Sequence, residues 1–122
     1  MDKWNEIATD EVLEKTKAAL EVNGFIVQIA ETNEEAKEMA LALIPKGAEV
    51  MTNTSKTFDD IGLSAAINES GDFDAIHPKV LKMDRDTQQK EINNMRMSAD
   101  WNTGSAHAVT HDGHILVASG SG

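Results

Sequence analysis

The strongest constraint on this sequence is an alternation in its first half. Short aliphatic runs, rich in β-branched residues, alternate with segments of helical period, and Gly or Pro stands at the joints. Residues 2–23 place Val12, Thr16, Ala19 and Leu20 at i, i+4, i+7 and i+8, which gathers them on one helix face. Gly24 follows Asn23 as a left-handed residue follows a helix end. The run FIVQIAE (25–31) lies between that stop and a turn, and its composition predicts a strand. Thr32 with Glu35 has the spacing of a capping box, and Ala36, Met39, Ala40 and Leu43 form the stripe of a second helix ended by Pro45, Lys46 and Gly47. AEVMT (48–52) reads as a second strand. A third helix opens near Ser55 or Lys56 and carries Phe58, Ile61, Ala65 and Ile67 or Asn68 before Gly71. Two strands joined through a helix predict a right-handed parallel β-α-β unit, and hence an α/β fold.

The second half is read differently. DFDAIHPKV (72–80) contains a turn, with Pro78 placed as the first residue of a fourth helix over about 79–96. Leu81, Gln88, Ile92 and Met95 line up on that helix among dense charges, which suits a surface helix or arm. Asp112-Gly113 between two apolar-alternating runs predicts a β-hairpin with arms at about 105–110 and 114–118. No internal repeat, low-complexity tract or Pro/Gly/Ser linker divides the chain, so one domain over 1–122 is expected.

Composition narrows the function. The chain has 122 residues, enough for one domain core and too few for two. Its formal charge of −10 leaves no electrostatic footprint for nucleic acid or an anionic membrane surface. The absence of cysteine excludes disulfides, thiol nucleophiles, cysteine-based zinc sites and iron–sulfur ligation by this chain. The longest apolar stretch, 39–44, is too short to span a bilayer, and the acidic start MDKWNEIATDE is unlike a signal peptide. A cytoplasmic protein without a membrane or nucleic-acid partner is the expectation. With aromatics at only 4%, the core must be aliphatic.

Three places could carry chemistry. In the loop MTNTSKT (51–57), Thr52, Asn53, Thr54 and Ser55 follow a parallel strand and precede a helix, where small anions bind in open α/β sheets. The plain alternative is an ordinary N-cap; without glycine the loop is neither a P-loop nor a dinucleotide fingerprint. The second place is Gly104, Ser105, Ala106 and His107 together with the Ser119, Gly120, Ser121, Gly122 end. It could form an anion-binding nest or simply a terminal tail. The third is the trio His107, His111 and His114. His107 and His111 share a strand face, and a two-residue Asp112-Gly113 turn would set His111 opposite His114. Ordinary surface histidines explain the trio as well, and no metal site or cofactor is assigned. His77 is expected in a loop, Glu34-Glu35 and Asp59-Asp60 on solvated helix faces, and Trp4 and Trp101 as packing anchors. The methionines are scattered as core filler and surface, and no Ser/His/Asp elbow is present.

Taken together, MDKWNEIATDEVLEKT, NGF, IPKGAEVMTNTSKTFDDIGL and GSAHAVTHDGHILVASGSG resemble the LUD domain, which includes the bacterial lactate-utilisation proteins, with protein C the nearest type. The most specific parts are P-x-G-A-x-V at 45–50, S-x-T-x-x-x-I-G-L at 55–63 and G-S-x-H-A-V-T-x-D-G at 104–113. The resemblance implies a three-layer parallel-sheet α/β fold similar to glucosamine-6-phosphate deaminase, ribose-5-phosphate isomerase and the CoA transferases, here with a C-terminal β-hairpin. It implies substrate near Thr52, Asn53, Thr54 and Ser55 and near Ser119, Gly120 and Ser121, with Gly104, Ser105 and His107 nearby. Members of the family continue beyond the GSG segment, so the chain is expected to be the N-terminal part of the domain. An open sheet edge then predicts a homo-oligomer or a partner subunit. The family's larger subunit carries iron–sulfur cysteines, which this chain lacks. The CoA-transferase relatives use a glutamate nucleophile, and none lies in the candidate loops. His107 is the titratable group of the matched hairpin motif suited to acid–base work. The expected function is binding of a small anionic or phosphorylated metabolite in organic-acid utilisation, with catalysis left open; the alternative is a non-catalytic assembly subunit.

Overall fold

A computed structural model describes residues 6–119. The chain divides into two compact units, Ala30–Ser105 and Met1–Ile29 with Ala106–Gly122.

The unit Ala30–Ser105 is α/β. Helix α2 (Asn33–Leu43) precedes β1 (Glu49–Thr52), and α3 (Lys56–Asp60) and α4 (Leu63–Asn68) lead to β2 (Asp74–Ala75). Helices α5 (Ile76–Leu81) and α6 (Gln89–Ser98) then lead to β3 (Trp101–Thr103). The strands make a parallel sheet in the order β2-β1-β3, so the first of them in sequence is the central one. Alternate residues of β1 point to opposite faces. Val50 packs with Ile44, Leu63 and Ile67 on the α2–α4 side, and Met51 with Ile76, Val80 and Ile92 on the α5–α6 side. Covering both faces of a parallel strand with helices is what lets its buried run, Val50-Met51-Thr52, be continuous. Trp101 packs against the Val50 cluster.

Local chemistry explains the boundaries. Thr32 caps α2 by accepting from the Glu35 amide at 3.1 Å. The returning Glu35 carboxylate takes the Glu31 amide at 2.8 Å, one residue before the position a capping box would use. Ser55 caps α3 through the Phe58 amide at 3.2 Å. The expected single helix after Ser55 is two, because Gly62 adopts φ +76 and ends α3 before α4 begins. The expected helix over 79–96 is also two. Asp84 accepts the Asp86 amide on its carboxylate and the Gln88 amide on its carbonyl, a local turn that competes with helix. The first of the two starts at Ile76, so Pro78 sits within the first turn, where no intrahelical donor is needed.

In the other unit, α1 (Asp10–Val22) starts at its Thr9 cap rather than at residue 2. It ends in a Schellman motif: Phe25 N–H donates to the Leu20 carbonyl and Gly24 N–H to that of Glu21, with Gly24 at φ +91. The hairpin pairs β4 (Ala108–Val109) with β5 (Ile115–Leu116) antiparallel. The expected two-residue turn is a three-residue one. Gly113 N–H donates to the Thr110 carbonyl, Thr110 N–H to that of His114, and Gly113 takes φ +89. The strand expected over 25–31 is absent: no ladder joins it, and Ile26 is 95% exposed. The β-α-β unit therefore runs from β1 to β2 and not from 25–31 to β1. Trp4 lies outside the described residues.

Candidate functional site

At the carboxyl end of β1 the buried run gives way to exposed polar residues. The pairs Glu49↔Asp74 and Val50↔Ala75 fix the register of β2. β2 ends at Ala75, and the chain turns at once into α5, whose first turn carries His77 and which packs against β1; on the other side of β1, Thr52 pairs with Thr103.

A cavity of about 150 Å³ opens there, lined by Thr52, Asn53, Thr54, Asp59, Ser64, Asn68 and His77. Its back wall is fixed. The Asn68 amide donates to the hydroxyl of buried Thr52 at 3.0 Å. Ser64 and Asn68 stand four apart on α4 and so share a face. The Asn53 side chain and backbone N–H both donate to the Thr103 carbonyl at 3.0 Å, tying the loop to β3. Thr103 in turn donates from its hydroxyl to the Met51 carbonyl at 3.2 Å. The open side carries less commitment. Thr54 is exposed, and no hydrogen bond within the described residues engages its hydroxyl. His77 is half-buried, and its Nδ1 is shielded from solvent with no hydrogen-bond partner. No Lys or Arg lines the cavity. Lys56, the nearest cation in sequence, forms an ion pair with Asp60 at 2.8 Å, and that contact raises its pKa.

Of the residues singled out from sequence, Thr52, Asn53 and Thr54 line this cavity, while Ser55 turns its hydroxyl to the α3 amide. Gly104 is beside them: a Cβ placed there would lie 3.6 Å from Asn53 Nδ2. Ser105 follows at the edge of the same unit and is exposed. His107 and Ser119 belong to the other unit. His107 is exposed, and its Nδ1 accepts the Ala118 amide at 3.1 Å while its own N–H donates to the Leu116 carbonyl, so the imidazole ties the hairpin ends. Gly120 and Ser121 lie outside the described residues. In the three-residue turn, His111 sits at the tip and His114 pairs with Thr110, so the two imidazoles do not face each other. Among the described residues no group of three or more His, Asp or Glu is arranged to hold a metal. His114 Nδ1 instead lies 3.2 Å from Asp112. No described helix is long and apolar enough to cross a membrane.

Sequence reasoning missed Asp59, Ser64, Asn68 and His77. His77 was expected in a loop, and it lies in the first turn of α5. No local signal marks it, because His77 reaches the cavity through the packing of α5 against β1.

No curated protein and no solved structure matches the chain. The LUD domain profile matches residues 13–122, and with that span and the parallel α/β architecture the chain belongs to the LUD domain family, which is associated with lactate utilisation.

Proposed function

We propose that this LUD domain binds a small anionic metabolite of organic-acid utilisation at the carboxyl end of β1. The observation that carries the reading is the cavity itself. It lies at the strand ends of a parallel sheet, where such folds place ligands. Its wall carries the hydroxyls of Thr54 and Ser64, the second side-chain N–H of Asn53 and of Asn68, and the His77 imidazole. The size narrows the class. About 150 Å³ accommodates a carboxylate with a few carbons or one phosphate group.

Thermal shift with L-lactate, other short carboxylates, sugar phosphates and CoA tests this. Saturation with a small anion at about a hundred times Kd stabilises by about 2.7 kcal/mol. A folded sample indifferent to every small anion would overturn the reading. His107 stays a candidate acid or base on chemistry alone: with Nδ1 accepting from Ala118, the proton of its neutral form sits on Nε2.

The second reading, an assembly subunit, is favoured by a different observation. In the unit of Met1–Ile29 and Ala106–Gly122, Ile7, Val22 and Ile26 are each at least 87% exposed, and Leu20 is the one buried large apolar side chain described there. Sedimentation decides it: a monomer at all concentrations would remove this reading.

A further inference from the structure

We propose that His77 supplies the positive charge for the ligand, so that anion binding at the end of β1 takes up one proton; this rests on the anion-binding reading above. The cavity wall contains no Lys or Arg and one carboxylate, Asp59, in a chain of formal charge −10. An anion entering such a site meets repulsion unless a cation is created beside it. His77 is the one lining side chain that can gain positive charge near neutral pH.

The surroundings of His77 fit this role. A second proton on its ring gives the imidazole a full positive charge at the cavity wall. An anion in the cavity supplies the opposite charge beside it, so each binding event favours the other. Helix α5 packs against β1, α4 and α6. The charged groups of those elements and their ends, Glu49, Glu69, Lys90, Glu91 and Arg96, do not line the cavity. On its own side, Lys79 is paired with Asp74, and Lys82 lies beyond the cavity wall. Asp59 is the single charged neighbour across the cavity, and it too is better tolerated beside a protonated imidazole.

Sulfate is the probe, because its charge is constant from about pH 5 to pH 8, the range in which histidine changes charge. The full chain has four histidines, few enough to follow each ring C–H by proton NMR. The expected result is that one resonance, identified by its loss in His77→Gln, moves its titration midpoint upward on saturation with sulfate. Between the free and the sulfate-saturated midpoints, sulfate affinity should fall up to about tenfold per pH unit, because one bound proton is linked to one bound anion. His77→Lys should bind sulfate with affinity independent of pH across this range. The wild-type midpoint shift stands as a readout even if a variant fails to fold. Sulfate binding with an unmoved His77 midpoint, or with the same pH slope in folded His77→Gln, overturns the proton coupling and leaves the anion site intact. A folded wild-type protein that binds neither sulfate nor short carboxylates at any pH overturns both.

Discussion

At Gly113 two demands coincide on one residue. The turn requires φ +89, and a Cβ there would lie 2.5 Å from the Ala19 carbonyl oxygen, which is backbone and cannot swing away. A left-handed conformation costs an ordinary residue about 1–2 kcal/mol and overpacking about 1–3 more. Gly113→Ala should therefore lose about 2–5 kcal/mol in urea unfolding. Gly47→Ala is the control: φ is +82 but the space is open, so about 1–2 kcal/mol is expected. The glycine of the turn was legible from Asp-Gly; the helix pressed against it was not, since nothing local in the sequence announces a contact with Ala19. At Asp112 the Thr110 hydroxyl, and then His114, hold the carboxyl below the usual carboxylate range. A depressed folded value means that the stabilisation is present above the unfolded value and is lost as pH falls through the folded one. Carboxyl NMR should find Asp112 titrating below an ordinary aspartate, and Thr110→Val should move it back up; no movement would contradict the hydrogen bond.

At the scale of elements, legibility followed length. Helices α1 and α2 carry stripes and caps long enough to read, and β1 stands between clear stops. Strands β2 and β3 have two and three residues, shorter than any alternation can register, and they are held by pairing with β1. The segment 25–31 fails the other way: its β-branched run states a propensity, but a strand needs a neighbour, and no described strand pairs with it. The parallel α/β class was thus readable while the strands that make it were not. Of the residues that line the cavity, Thr52, Asn53 and Thr54 follow the strand that could be read and were legible, while those brought in by α3, α4 and α5 were not. The hairpin tip offers an element-scale test. Asn23, the residue that caps α1, donates its side-chain N–H to the Gly113 carbonyl at 2.9 Å. Removing one such bond costs about 0.5–1.5 kcal/mol, so Asn23→Ala should speed exchange of the Thr110 and Gly113 amides about two- to tenfold. Unchanged exchange would mean that the side chain does not hold the turn.

For the whole molecule, charge and exposed apolar surface make opposite claims. A chain of formal charge −10 repels its own copies, which keeps proteins apart. Yet of the eleven large apolar side chains that stand exposed among the described residues, eight belong to the unit of Met1–Ile29 and Ala106–Gly122. Concentrated exposed apolar surface marks interaction sites. If that surface joins two copies, attraction is apolar and insensitive to salt, while the repulsion between like charges is screened. Raising ionic strength from about 0.01 M to about 0.15 M shortens the screening length from about 30 Å to about 8 Å. Self-association should therefore strengthen with salt, the reverse of an interface built on ion pairs. Sedimentation at both ionic strengths reads the sign, and Ile26→Lys should abolish association at either, because it places a charge in the apolar surface without disturbing a packed side chain. Association that weakens with salt, or that survives Ile26→Lys unchanged, would move the interface away from this surface and onto charged groups elsewhere on the chain.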